Sequence, residues 1–91
     1  MSSKAVSIEV SGRVQGVYFR ASTKEVSDRL GVVGWVKNLP NGNVLIHAQG
    51  SVEQISQLKE WCRQGPPLSK VAEIVVEDIE LKPYKDFEIR Y

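Results

Sequence analysis

Segments with apolar residues at every second position alternate along this 91-residue chain with segments at helical spacing, and their order restricts the folds open to it. The predicted elements are a strand at 5–11, a helix at 21–30, strands at 32–36 and 44–49, a helix from Ser51 to Gly65, and strands at 71–81 and 87–91.

The order β-α-β-β-α-β-β is typical of the ferredoxin-like split β-α-β sandwich. We therefore predict an α+β fold in which an antiparallel sheet carries two helices on one face. If the two β-α-β crossovers interleave, the first and third strands lie side by side at the sheet centre. The loop after the first strand then lies near the turn after the second, which predicts that Asn38 approaches Arg20.

Local signals support these boundaries. Asn41-Gly42, within a predicted turn at 38–43, is typical of a β-hairpin. Ser51 followed three residues later by Gln54 predicts a capping box at the start of the second helix. The run 74–76 (Ile-Val-Val) breaks the alternation of its strand, which predicts either a bulge or burial on both faces.

Composition restricts the function classes. The chain is 42% hydrophobic and 25% charged, which predicts one folded domain over 1–91 with a short flexible start at 1–4. A net charge of +1 does not favour nucleic-acid binding, and no apolar run reaches the roughly 18 residues that span a bilayer. The lone Cys62 excludes an internal disulfide and indicates a cytoplasmic protein. With no evident apolar interface, we expect a monomer that binds neither nucleic acid nor membrane.

The segment 12–20 joins the first strand to the first helix and contains two glycines. A turn of this kind leaves backbone N–H groups at a helix N-terminus, where anions bind. Arg20 adds a planar guanidinium that matches phosphate oxygens. The segment lacks the Gly-Lys-Ser/Thr ending of a nucleotide-binding P-loop. By itself this pattern also fits an ordinary strand-to-helix turn with a solvated arginine.

Two sequence blocks relate the chain to a known family. The run Gly-Arg-Val-Gln-Gly-Val-Tyr-Phe-Arg at 12–20 strongly resembles the signature loop of the acylphosphatase family. Gly-Val-Val-Gly-Trp-Val-Lys-Asn at 31–38 resembles the second signature of that family, and 87–91 resembles its C-terminal segment. The resemblance implies that the phosphoryl group is bound by backbone N–H groups and the arginine side chain of one loop, whose residues are Gln15, Gly16, Val17, Tyr18, Phe19 and Arg20. It further implies that Arg20 and Asn38 are the catalytic residues, with Asn38 positioning the attacking water.

The activity that the resemblance implies is hydrolysis of an acyl phosphate, a carboxyl-phosphate mixed anhydride, to a carboxylate and inorganic phosphate, without a metal or a cofactor. Inorganic phosphate would then be a product and an inhibitor. The residues agree with this chemistry, because a carboxylate leaving group has a conjugate-acid pKa of about 4 and needs no general acid. The loop indeed contains no Asp, Glu, His or Cys. A phosphoenzyme route would need such a side chain, so direct attack by water is the predicted mechanism.

The alternative function is a non-catalytic phosphate-binding or other anion-binding regulatory module of the same fold, because binding needs only the loop. An RNA-binding version of the fold would place base-stacking aromatic residues on its central strands. The central strands predicted here lack them at 8–10 and 44–46. Asn38 also fits an ordinary turn residue, and only the motif and its expected approach to Arg20 indicate catalysis.

Overall fold

Two helices lie on one face of a five-stranded sheet in the computed structural model of the protein, which describes residues 3–91. The elements are β1 (Ser3–Arg13), α1 (Phe19–Leu30), β2 (Val33–Asn38), β3 (Val44–Ser51), α2 (Val52–Gln64), β4 (Lys70–Asp78) and β5 (Phe87–Arg90). Their order confirms the predicted α+β fold. No helix within residues 3–91 has the length and apolar character needed to cross a membrane.

The central strands are β1 and β3, as the interleaved crossovers predicted. The strand order is β4-β1-β3-β2-β5, and β1 and β3 are antiparallel neighbours. Ile8 pairs with Ile46 and Val10 with Val44, and all four side chains are fully buried beneath the helices. The alternation of these strands therefore directs one apolar face into the core, while the residues between them lie on the opposite face.

The direction of β5 corrects the prediction of a wholly antiparallel sheet, because β5 runs parallel to β2. Since β4 and β5 lie at opposite edges, the connection over 79–86 must cross one end of the sheet. It is held there where β2 begins: the backbone N–H of Gly34 donates to the carbonyl of Asp86 at 2.9 Å, and the Gln49 side chain makes two 2.8 Å hydrogen bonds with the Lys82 backbone. A strand entering from that end can only run alongside β2 in the same direction.

Several element boundaries differ from those predicted. Ser3 and Lys4, expected in the short flexible start, belong to β1 because they pair with Ser51 and Gly50 of β3. The remainder of that expected segment, Met1 and Ser2, lies outside the described residues. At the other end of the sheet, Asn38 is the last residue of β2, where it pairs with β3, and does not belong to the turn.

The irregularity expected in the fourth strand lies earlier than 74–76. Between Ser11 and Gly12 the register shifts so that these residues face Glu73 and Val71, which leaves Ala72 as an extra residue on β4. One extra residue on one strand is the pattern of a β-bulge. Val75 is half exposed, so the run 74–76 is not buried on both faces. β4 also ends at Asp78, three residues before the predicted end, where the chain turns to cross the sheet.

The start of α2 confirms the predicted capping box. The backbone N–H of Gln54 donates to Ser51 Oγ at 3.1 Å, and the backbone N–H of Ser51 donates to Gln54 Oε1 at 2.8 Å. Gln54 Nε2 also donates to the carbonyl of Leu30, the last residue of α1, at 2.9 Å. One side chain therefore satisfies orphan backbone groups at the ends of both helices.

Gly34 is predicted to be indispensable to the pairing of β2 with β3. Its φ is 136°, and a Cβ at this position would overlap the carbonyl oxygen of His47. We expect Gly34→Ala to lower the free energy of unfolding by about 3 kcal/mol, since backbone strain and steric overlap add. The matched control is Gly42→Ala, where φ is also positive, at 93°, but no atom lies within 4 Å of the new Cβ.

Backbone strain alone predicts that the Gly42 variant loses about 1 kcal/mol in its free energy of unfolding. Urea unfolding of the two variants measures the difference. Equal losses of unfolding free energy in the two variants would show that the His47 carbonyl does not exclude a Cβ at position 34.

Candidate active site

The loop between β1 and α1 presents a run of unpaired backbone donors. Tyr18, the N-cap residue of α1, has a left-handed backbone with φ 66° and ψ 24°, and its side chain makes no capping hydrogen bond. The first helical bond runs from the N–H of Ser22 to the carbonyl of Tyr18. No carbonyl or side chain within residues 3–91 accepts a hydrogen bond from the backbone N–H groups of 15–21. These donors, at a helix N-terminus, suit an anionic ligand.

A cavity of about 340 Å³ lies at this end of α1. Three parts of the chain meet there: the loop with the first turn of α1, the end of β2, and the end of the chain from β5 onward. The cavity is lined by Val14, Gly16, Tyr18, Phe19, Arg20, Ala21, Asn38, Ile89 and Tyr91. None of these side chains is a carboxylate, an imidazole or a thiol.

Arg20 is the only lysine or arginine among the residues that line this cavity. It is half-buried in the first turn of α1, and its Cζ lies 4.8 Å from the ring centroid of Tyr91. No ion pair within residues 3–91 involves Arg20. Because Arg20 makes no ion pair among the described residues, its planar set of N–H groups is available for an anion.

Asn38 reaches the cavity from β2. It pairs with Val44, the first residue of β3, and alternation places it on the helix side of the sheet together with Val36. The approach of Asn38 to Arg20, predicted from topology, is confirmed in that both line the same cavity. Its amide adds a donor and an acceptor to a site that otherwise offers mainly donors.

The other loop residues differ in what their side chains do. Val17 and Phe19 are 4% and 2% exposed and belong to the core, where the Phe19 ring lies 5.4 Å from that of Trp61. The Gln15 side chain is hydrogen-bonded to the β2–β3 turn and does not line the cavity. Tyr18 is 74% exposed at the cavity rim. These buried and bonded side chains anchor the loop, and its backbone remains available to a ligand.

Sequence reasoning missed Ile89 and Tyr91 as cavity residues. The resemblance of 87–91 to a family terminus indicated that the segment mattered, but no periodicity shows where it lies. Tyr91 reaches Arg20 because β5 runs parallel to β2, so the residue after β5 arrives beside the end of β2.

The remaining ionisable candidates lie outside the cavity. His47 stacks on Trp35 with centroids 4.2 Å apart, on the sheet face away from the helices. Burial lowers the pKa of His47, and the nearby charges of Lys82, Lys37 and Arg90 lower it further. Burial raises the pKa of the Cys62 thiol to about 12, so this thiol packs as a small apolar group.

Comparison with known proteins agrees with this geometry. The family model for acylphosphatase matches residues 6–89, which include both sequence blocks at 12–20 and 31–38. The chain belongs to the acylphosphatase family. The match extends over nearly all of the described residues, so it covers both the loop and the strand that meet at the cavity. The family predicted from the two blocks is confirmed.

Individual acylphosphatases are similar over most of their length. The acylphosphatase of Nitrosococcus oceani is 48% identical over 81 residues, which cover 89% of this chain and 91% of that protein. The solved acylphosphatase of Coxiella burnetii has a TM-score of 0.94 at 40% identity, covering 97% of this chain and 93% of that one. The structure from Bacillus subtilis has a TM-score of 0.93 at 38% identity, covering 96% and 98%. These neighbours confirm the fold.

Proposed function

We propose that this protein is an acylphosphatase that hydrolyses an acyl phosphate by direct attack of water on the phosphorus atom. The observation that carries the proposal is one cavity that joins the unpaired N–H groups of the loop, the Arg20 guanidinium and the Asn38 amide. Membership of the acylphosphatase family and the names of the relatives support the same activity.

Phosphate binding is assigned to the loop and Arg20. A phosphoryl group offers three oxygens over which negative charge is spread in the transition state. The backbone N–H groups at the N-terminus of α1 and the guanidinium N–H groups of Arg20 supply donors for these oxygens. Because the loop is anchored by the buried Val17 and Phe19, the donors need little rearrangement when charge develops.

Asn38 is assigned to the attacking water. Its carbonyl oxygen can accept a hydrogen bond from the water while its N–H₂ donates to the water oxygen or to a phosphoryl oxygen. Water attacks phosphorus opposite the acyl oxygen, the bond between phosphorus and that oxygen breaks, and the acyl group leaves as a carboxylate. The proton lost by the water passes to the product phosphate or to solvent. An amide is a very weak base, so its contribution is orientation and not proton abstraction.

The leaving group explains why the cavity needs no acid. A carboxylate is stable without protonation near neutral pH because its conjugate acid has a pKa of about 4. The negative charge spread over the phosphoryl oxygens is then what the site has to stabilise, and N–H donors do so. The lining of the cavity, which lacks any Asp, Glu, His or Cys, suits this reaction and does not suit a phosphoenzyme.

Hydrolysis of acetyl phosphate in excess chelator tests the proposal. We expect the purified protein to release inorganic phosphate at a rate that a chelator changes by less than about twofold. The reason is that the loop N–H groups, Arg20 and Asn38 supply all the hydrogen-bond donors that the proposed reaction uses. Loss of activity with chelator would contradict metal-free hydrolysis. Phosphate binding without any turnover, measured on the same sample, would contradict catalysis and show a binding module instead.

A further inference from the structure

The side-chain amide of Gln15 joins the phosphate-binding loop to the turn that follows Asn38. Its Nε2 donates to the carbonyl oxygens of Leu39 and Asn43, both at 2.8 Å. A primary amide has two N–H groups, and each carbonyl takes one of them. Since both neighbours are acceptors only, the nitrogen must be the atom that faces them. The contact spans 24 residues to Leu39 and 28 to Asn43.

These two carbonyls belong to residues on either side of the turn between β2 and β3. Leu39 follows Asn38 directly, and Asn43 precedes Val44, with which Asn38 pairs. The turn is closed by the N–H of Leu39 donating to the Asn43 carbonyl at 2.8 Å. The Asn43 side chain in turn donates to Glu9 Oε2 of β1 at 2.7 Å. Gln15 therefore bonds to a hydrogen-bonded turn that begins at the residue after Asn38.

Within residues 3–91 the sheet joins Asn38 to the strand before the loop only through β3, because Asn38 pairs with Val44 and Val44 pairs with Val10. Asn38 and the loop lie on β2 and after β1, which are separated by β3 in the sheet. Contacts made beyond the strand ends add to this indirect connection, and the two Gln15 bonds are the side-chain hydrogen bonds that join the loop to the turn among residues 3–91. Both bonds are partly buried, which makes them stronger than exposed ones.

We propose that Gln15 is a positioning residue for hydrolysis, which fixes Asn38 and its water relative to the phosphoryl group held by the loop. The inference rests on the proposed function. In-line attack requires the water to lie behind phosphorus, and a displacement of about 1 Å costs up to roughly 10²-fold in rate. The backbone of Gln15 belongs to the loop in any case. Because its side chain acts on Asn38, removing that side chain should lower kcat while the backbone of Gln15 still binds phosphate.

A double-mutant cycle with Asn38 tests the inference. Gln15→Ala is expected to lower kcat for acetyl phosphate by roughly 10- to 100-fold, because the water loses its fixed position. The inhibition constant of inorganic phosphate should stay within about threefold, since the backbone donors and Arg20 remain. In an Asn38→Ala background, the same change should lower kcat by less than about threefold, because the residue that Gln15 positions is gone.

Two further variants separate positioning from stability. Gln15→Glu has the same shape but lacks both N–H groups and sets a carboxylate against two carbonyl oxygens, so its kcat should fall at least as far as that of Gln15→Ala. The control is Gln49→Ala, which also removes two 2.8 Å hydrogen bonds to backbone, but at the opposite end of the sheet. Its kcat should stay within about twofold of wild type, since it lies far from the water. If Gln15→Ala does not fold, Gln15→Met keeps the side-chain volume without donors.

The outcomes are distinct. A kcat within twofold of wild type for Gln15→Ala would overturn the positioning role, and so would losses that multiply fully with those of Asn38→Ala. A higher inhibition constant for phosphate at unchanged kcat would assign the Gln15 side chain to binding instead. In all three cases wild-type turnover remains, so the proposed function stands. Absence of wild-type turnover would contradict the proposed function itself and the inference with it.

Discussion

Replacing Arg20 by lysine is expected to lower kcat/KM for an acyl phosphate by roughly 10³-fold, the scale at which arginines act in phosphoryl transfer. Lysine keeps the charge but not the planar set of N–H groups that can bind two phosphoryl oxygens at once. It also replaces the guanidinium that makes the cation–π contact with the Tyr91 ring. Arg20→Ala should lose at least as much. The measurement is initial-rate hydrolysis of acetyl phosphate at several concentrations.

The matched control lies on the same helix. Arg29 in the last turn of α1 is exposed and makes a 3.9 Å ion pair with Glu25. Arg29→Lys should leave kcat/KM within about twofold, because exposed pairs of this kind contribute little. Retention of more than a third of wild-type kcat/KM by Arg20→Lys would show that charge alone suffices and that the planar contact is not required.

Replacing Asn38 by alanine is expected to lower kcat by roughly 10²- to 10³-fold, the usual cost of removing one positioned hydrogen-bonding group from a transition state. Inhibition by inorganic phosphate should survive, because the donors that we propose for phosphate binding belong to the loop and Arg20. The fold should tolerate the change, since Asn38 ends β2 and is only half-buried. Turnover and product inhibition, measured together, check both expectations.

Arg20→Ala and Asn38→Ala together distinguish phosphate binding from placement of the attacking water. Phosphate should still inhibit residual turnover by Asn38→Ala, whereas Arg20→Ala should no longer bind phosphate at the concentrations that inhibit wild type. Circular dichroism of each variant confirms that the helices and sheet are retained. The reverse pattern, with phosphate inhibition lost in Asn38→Ala and kept in Arg20→Ala, would exchange the two roles and refute the assignment.

Much of the fold was accessible from local pattern. Each predicted element exists. Strands and helices that bury one face place their apolar residues at characteristic spacings, and these spacings can be recognised within a few neighbouring residues. The capping box at Ser51 and Gln54 was predictable for the same reason, since its two partners lie within one turn. The ends of elements were less predictable. β4 ends at Asp78 because the chain must cross the sheet, which is a demand of the whole fold.

The candidate site likewise contains features that local sequence predicts and features that depend on distant contacts. The glycine-bearing loop, its position before a helix and the charge of Arg20 could be read from consecutive residues, and topology predicted that Asn38 approaches them. The bond partners of Gln15 could not, because nothing local distinguishes a glutamine that contacts a turn 24 residues away from one in solvent. Tyr91 is the clearest case, since its place depends on the direction in which β5 pairs.

Sequence alone determined the order of strands and helices, the family and the chemistry open to the loop between β1 and α1. These follow from residue types and from spacings of a few residues, which set local backbone shape and donor groups. Tertiary structure alone decided that β5 runs parallel to β2, that Tyr91 contacts Arg20 and that the Gln15 amide bonds to the turn after Asn38. Each is a contact between residues far apart in the chain. The free energy that selects it comes from closing the whole sheet around one core.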